Sequence, residues 1–142
     1  MSTLRVDNLK GKTTDLAVNV FASHNSGTTT TNLEQGLTKM WCCWDGDDNP
    51  PTINDSFNVT NFTDNGTADI DINFTNNFNT VHYTFVALTE STFNSSEDAM
   101  VMAYYDSGHK NTHDIRCTQA STKGGANGEC PDNSATANGD LA

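Results

Sequence analysis

The chain has 142 residues, a formal net charge of −11 and 35% hydrophobic residues. That length fits one domain with a modest core, and so acidic a surface repels nucleic-acid phosphates and anionic membranes. No run of ~18 apolar residues is present, so no transmembrane helix is expected, and the opening MSTLRVDNLKGK holds no apolar stretch ahead of a cleavage site, so synthesis in a cytosol without a signal peptide is expected.

Asn and Thr are abundant while Lys, Arg and Glu are scarce. Thr suits strands and Asn suits turns, so the composition predicts an all-β protein of short strands and polar loops. Leu4, Val6 and Leu9 begin a short extended arm ended by Gly11. Leu16, Val18, Val20 and Ala22 alternate as a strand, and SHNSGTTTT (23–31) reads as a polar loop. Asn32 to Leu37 can form one short helical turn, with Asn32 as N-cap and Gln35 at the capping-box position. An aromatic-rich apolar run follows from Lys39 to Trp44, then a loop from Asp45 to Pro51 on composition and proline grounds.

Between Asp55 and Thr75 two alternating runs flank Asp64-Asn65-Gly66-Thr67, and Asn-Gly signals a type I′ hairpin turn. In the second run Ala68, Ile70, Ile72 and Phe74 share one face, opposite Asp69, Asp71 and Asn73. In the first, Phe57 and Val59 pair but Phe62 breaks the parity, and a bulge near Thr60-Asn61 would restore it. Val81, Tyr83 and Phe85 alternate next, with His82 on the opposite side. Thr89 to Asp98 reads as loop, Met100 to Tyr105 as an apolar strand, and Ile115 and Cys117 as a last weak strand. About seven strands at this spacing predict a small antiparallel β-sandwich. Residues 1–31 then form an N-terminal arm with the first strands, 32–117 the sandwich core, and 118–142 a Gly/Asn-rich tail with almost no apolar residue.

Two motifs carry a resemblance. The successions N-L-E-Q-G-L-T-K-M-W (32–41) and T-I-N-D-S-F-N-V-T-N-F-T-D-N-G-T-A-D-I-D-I-N-F-T (52–75) resemble short tail-fibre-like proteins of marine bacteriophages. That group tends to read Q-G-L-(A/T)-K-A-W-V-N-F-N-G-T-G, then I-R-D-S-F-N-V-S-S-(I/V)-T-D-N-G-T-G-D-Y-T-V-N-F. Its members often open on MSTL-(R/K)-VD, and several end in G-D-L-A, as here at Gly139 to Ala142. The chain departs at Trp41-Cys42-Cys43-Trp44-Asp45-Gly46, at Asn54 where an Arg is usual, and in its Cys-bearing C-terminal region. The resemblance implies a non-enzymatic virion structural protein, β-rich and commonly trimeric, made in the host cytoplasm and released by lysis. It implies other virion proteins as partners and, for a fibre, a host-surface glycan or receptor.

A homotrimer suits a thin core, because each chain covers its neighbour's edge strands. Met40, Trp41, Met100, Met102, Tyr104 and Tyr105 are the candidate subunit interface, or else they fill the monomer core. The receptor-facing loop candidates are Ser23 to Thr31, Asp45 to Pro51 and Thr89 to Asp98. The chain lacks the heptads or repeats of a fibre shaft, which favours a terminal knob or a capsid decoration protein over a complete fibre. A free carbohydrate-binding module, with Trp41 and Trp44 stacking on sugar rings, is the rival from another class.

Four cysteines are present. Cys42 and Cys43 are adjacent in a strand and face opposite ways, so they do not bridge. Cys117 and Cys130 flank a loop that can close, and are the disulfide candidate; cytosolic assembly argues against early oxidation, but a released particle meets oxygen, so a bridge and free thiols are both open. His109-x3-His113-x3-Cys117 has a zinc-like spacing only on a helix, which Gly108, Asn111 and Thr112 disfavour, so no metal is expected. Asp45, Asp47 and Asp48 lack the calcium-loop pattern. Sequons at Asn54, Asn58, Asn61, Asn65, Asn73 and Asn94 are of the kind that arise by chance in so Asn- and Thr-rich a chain. No nucleophile, base and orienting group assemble in any known catalytic pattern, so neither an enzyme nor a cofactor is expected.

Overall fold

The computed structural model describes residues 19–24, 27–32, 36–89, 100–104, 108–121 and 130–142, with side chains for 36–89, 108–119 and 130–142. The chain divides into two units, Met1–Leu37 and Thr38–Ala142. The first holds an antiparallel hairpin of β1 (Asn19–His24) and β2 (Gly27–Asn32), in register from Asn19 opposite Asn32 to His24 opposite Gly27. The expected loop 23–31 is thus largely strand: Thr28 to Thr31 are β-branched and satisfy a ladder although none is apolar. The expected arm at Leu4 to Leu9 and the middle of the turn from Asn32 to Leu37 (33–35) lie outside the described residues.

The second unit holds β3 (Met40–Asp45), β4 (Thr52–Phe57), β5 (Val59–Gly66), β6 (Asp69–Phe74), β7 (Thr84–Thr89), β8 (Met100–Tyr104), β9 (Asp114–Ser121) and β10 (Asn133–Asn138). They form two antiparallel sheets, β4-β3-β10-β7 (sheet 1) and β5-β6-β9-β8 (sheet 2). Their inner faces share one core: Met40, Cys42, Trp44, Ala135 and Ala137 from sheet 1 against Ile70, Ile72, Phe74, Ile115 and Cys117 from sheet 2. The fold is an all-β sandwich, as the composition predicts.

The C-terminal region corrects the expectation of a tail. β9 runs to Ser121, and β10 lies in the middle of sheet 1, paired with β3 on one side and β7 on the other. Its inward residues are Asn133, Ala135 and Ala137, all buried. Alanine fills little volume, so it registers weakly in a hydropathy pattern, yet it lets large side chains such as Met40 and Trp44 pack across from it. Beyond β10, Leu141 bridges Phe78, Asn79 N–H donates to the Asp140 carbonyl at 2.7 Å, and Ala142 N–H donates to the Asn77 carbonyl at 2.8 Å.

The run Asp55 to Phe62 is not one strand. β4 belongs to sheet 1 and β5 to sheet 2, and Asn58 alone joins them, with φ of 59°. Left-handed backbone is the region Asn tolerates best after Gly. The turn there sends Phe57 to the outer face, 50% exposed, while Val59 packs on the core. The expected pairing of Phe57 with Val59 on one face is therefore overturned. The bulge at Thr60-Asn61 is present: Val59 opposes Phe74, but Asn61 opposes Asn73, so Phe62 returns to the inner side beside Trp44.

The β5–β6 hairpin forms, two residues later than predicted. Gly66 pairs with Asp69, so Thr67 and Ala68 make the tip, with Ala68 at φ of 55°. The Asp64 carboxylate accepts the Gly66 N–H at 2.9 Å, which holds Asn65 out as a second bulge and moves the turn along the chain. In β7 the inward residues are Phe85 and Ala87, while Val81 is exposed just ahead of it.

Candidate functional site

Several places on the sandwich bring polar, reactive or apolar groups together. In β3, Met40, Cys42 and Trp44 point inward. Met40 is fully buried in its own chain, which removes it from the candidate subunit interface. Trp44 is 2% exposed and meets Phe62 edge to face, with ring centroids 5.5 Å apart, so it is no sugar-stacking platform. Met100, Met102 and Tyr104 lie on β8, whose side chains, like Tyr105 as a whole, fall outside the described residues.

Cys42 is buried and Cys43 exposed, opposed as expected. Burial pushes the Cys42 thiol from its ordinary 9.0 to about 12, helped by Cys43 and offset in part by a backbone hydrogen bond at Ala135. Burial also raises Cys117, with further contributions from Cys42, Asp71 and Asp69. Neither thiol is poised as a nucleophile. Cys117 and Cys130 are both buried, and both are free thiols in this structure.

A buried polar network crosses between the sheets at one end. Gln119 on β9 donates through Nε2 to Asn133 Oδ1 on β10, and to the Thr89 hydroxyl at 3.2 Å. Asn133 Nδ2 donates to the Cys130 carbonyl at 2.7 Å, which also accepts the Gly46 N–H at 3.0 Å. Beside it Trp44, Gly46, Pro51, Ala68, Ile70, Cys117 and Gln119 line a cavity of about 10 Å³, room for one water. The network therefore ties the two sheets together, and the space beside it is too small for a substrate.

At the other end, Phe78 stacks on Tyr83 at 4.2 Å, and Phe74 meets both edge to face at 5.1 and 5.9 Å. The Tyr83 hydroxyl donates to the carbonyls of Asn111 and Asp114, at 3.0 and 3.3 Å. Burial and the Asp114 charge raise its pKa. Lys110 Nζ sits 4.5 Å over the Tyr83 ring and donates to the Tyr83 carbonyl. On the outer face of sheet 2, the described side chains of β5, β6 and β9 include polar pairs. Arg116 donates Nε and Nη2 to the two Asp69 carboxylate oxygens at 2.8 and 2.7 Å, and Asn73 reaches the Thr63 hydroxyl at 3.0 Å.

The outer face of sheet 1 differs in kind. Strand register lines up Phe57, Trp41, Thr136 and Val86 in one row, and Asp55, Cys43, Ser134 and Leu88 in the next. Trp41 is 36% exposed, Phe57 50%, Val86 56% and Leu88 67%. These are four of the six large apolar side chains exposed among the described residues, the others being Leu37 and Val81. Trp41 is among the residues expected at a subunit interface, whereas Phe57, Val86 and Leu88 are not. The signal was a parity conflict, because β7 and the β4–β5 corner carry apolar residues on both faces.

His109, His113 and Cys117 do not converge. Cys117 points into the core, whereas His113 is exposed and contacts Asp114 at 3.0 Å. Among the described residues no group of three His, Cys, Asp or Glu side chains is placed to hold a metal. Comparison with family models, with curated proteins and with solved structures gave no match.

Proposed function

We propose that the chain is a non-enzymatic structural protein of a bacteriophage particle, a surface-mounted, knob-like β-protein of the tail-fibre kind that assembles as a homotrimer. Supporting this reading is the use made of the residues that carry the marine-phage resemblance. In D-S-F-N-V-T-N-F-T-D-N-G-T, Asn58 turns the chain between the sheets and Asp64 with Gly66 shapes the hairpin. In G-D-L-A, Asp140, Leu141 and Ala142 dock on Asn77 to Asn79. These are scaffold duties, as fits a family whose shared residues build a shape rather than a catalytic centre.

On the particle the protein binds other virion proteins and, at a tail, presents loops such as Asp45 to Pro51 to a host glycan or receptor. Immunogold labelling or cryo-electron microscopy of purified particles tests this. Density at the tail supports receptor engagement, and density on the icosahedral shell makes the chain a capsid decoration protein. Absence from particles overturns the proposal. A second reading, a free carbohydrate-binding module, is favoured by one observation: Trp41 stands exposed beside Phe57 on the outer face of sheet 1.

A further inference from the structure

We propose that Asn65 is a self-modification site, converting to aspartyl and isoaspartyl forms through a succinimide closed by the Gly66 backbone nitrogen, and that the Asp64 carboxylate sets how fast it does so. The site stands on the geometry of the β5–β6 hairpin and is independent of the virion reading.

The chain places Gly after Asn at three positions, Asn65, Asn127 and Asn138, and the first and last lie among the described residues. Glycine matters here because the attacking nitrogen has no neighbouring Cβ to block its approach. The two described pairs sit in opposite surroundings. Asn65 and Gly66 are both exposed, Asn65 has no partner across the hairpin, and a Cβ at Gly66 would meet nothing within 4 Å. Asn138 pairs with Thr84 at the end of β10, and its carbonyl accepts the Thr84 hydroxyl at 3.2 Å. A Cβ at Gly139 would sit 2.6 Å from Tyr83 Cβ and 3.2 Å from Phe78 Cδ1. Ring closure brings the Asn side chain onto the next backbone nitrogen and turns the peptide between them. Asn65 makes that turn within its bulge, whereas Asn138 must first leave a central strand of sheet 1.

The chemistry needs only solvent water. The Gly66 nitrogen bonds to Asn65 Cγ, the Cγ–Nδ2 bond breaks, and ammonia leaves with the proton that the Gly66 N–H gave up. Water then opens the imide at either carbonyl. One opening gives an aspartyl residue, and the other an isoaspartyl residue whose main chain runs through Cβ and Cγ. Nothing is oxidised or reduced. The extra main-chain atom falls where β5 has no partner opposite it, between the pairs Asp64 with Ile70 and Gly66 with Asp69. The hairpin therefore tolerates the product, which carries a second carboxylate beside Asp64.

Asp64 holds the nucleophile back. Its Oδ1 accepts the Gly66 N–H at 2.9 Å, and the nitrogen attacks only after losing that proton. An amide anion there would face the carboxylate at hydrogen-bond distance, like charge against like, so the proton is retained. The same bond restrains the peptide that must turn. Asp64 is thus a positioning residue, and the rate of conversion follows how firmly it holds.

The test holds the full chain in warm, mildly alkaline buffer and follows the amide-to-acid mass gain in the peptic peptides that carry Asn65 and Asn138. Hydrogen exchange at single amides is read by NMR beside it. Asn65 should convert at least about tenfold faster than Asn138, a modest factor against the cost of opening a central strand. Asp64→Ala should convert Asn65 about threefold faster than the wild type, or more. Its Gly66 N–H should exchange faster while the Ile70 and Ile72 amides keep their wild-type rates. Asn138 converting as fast as Asn65, or no conversion at Asn65 in either protein, overturns the site. Conversion in Asp64→Ala at the wild-type rate or slower overturns the hold that Asp64 exerts. Faster exchange at Ile70 and Ile72 as well would make Asp64 a support of the whole hairpin and overturn that hold too. Converted protein whose circular dichroism departs from the wild type overturns the tolerance of the hairpin for the product.

Discussion

Asn58 and Asn76 are locked together where the chain passes between the sheets. The Asn58 Oδ1 accepts the backbone N–H of Asn76 at 2.7 Å and its side-chain Nδ2 at 3.1 Å. Asn58 Nδ2 in turn donates to the carbonyls of Lys39 at 2.9 Å and Asn76 at 3.1 Å. One side chain therefore joins the start of β3, the β4–β5 corner and the end of β6. Its own backbone is left-handed, and Thr75 N–H donates to its carbonyl at 3.2 Å.

Replacing Asn58 should separate these two duties. Asn58→Ala loses the buried hydrogen bonds, about 1–3 kcal/mol, and puts a poorly tolerated residue in the left-handed region, about 1–2 kcal/mol more. Asn58→Gly keeps the backbone conformation and loses only the first part. Urea unfolding should rank the wild type above Asn58→Gly and Asn58→Gly above Asn58→Ala. Equal stability of the two variants would show that the left-handed geometry is not what Asn58 is needed for.

Two glycines should fail for different reasons. A Cβ at Gly46 would sit 2.7 Å from the Cys130 carbonyl oxygen and 2.8 Å from Asn133 Nδ2, inside the network that joins the sheets. Gly46→Ala should cost about 1–3 kcal/mol through overpacking and speed hydrogen exchange in β9 and β10. Gly66 has open space but a φ of 127°, so Gly66→Ala costs backbone strain of about 1–3 kcal/mol. Its exchange changes should stay within the β5–β6 hairpin, and spread beyond it would argue against a local cause.

Asp69 was expected on the wet side of β6, and it does face outward, yet it is buried by its pairing with Arg116. Asp71, directly opposite Arg116 in register, is a second carboxylate within its reach. Asp69→Asn should therefore cost only about 1–2 kcal/mol, because the guanidinium can turn to Asp71. Adding Asp71→Asn should cost more than it does alone. Additive losses in the double-mutant cycle would rule out that exchange.

How far the sequence was legible follows from the size and parity of side chains. β6 was readable because Ile70, Ile72 and Phe74 are large and alternate with polar residues. The first bulge was readable because Phe62 broke the alternation. β10 was not, since Ala135 and Ala137 give little hydropathy signal. β3 left its inward face undecided: Met40, Cys42 and Trp44 compete with Trp41 and Cys43, and both sets are apolar. That ambiguity hid which tryptophan is buried and left the exposed face unread. The Asn58 corner was hidden because Phe57, Asn58 and Val59 alternate as a strand would, and only the left-handed backbone reveals the break.

The buried thiols set the alkaline limit of the fold. In the unfolded chain a cysteine ionises near its ordinary value, about 8.5–9, whereas folded Cys42 holds its proton to about 12 and Cys117 is likewise raised. Above the unfolded value the native state binds more protons than the unfolded one, so stability falls as pH rises. Each thiol contributes about 1.4 kcal/mol per pH unit, so the two together give a slope near 3 kcal/mol per unit. This loss begins around pH 9 and runs until native Cys42 ionises near pH 12. Below about pH 8 these groups leave stability flat. Tyr83, also raised by burial, steepens the fall above about pH 10. Urea midpoints measured under reductant across this range should show the decline, and Cys42→Ala should remove roughly half of the thiol slope. An unchanged slope in that variant would mean that Cys42 is not held protonated by the core.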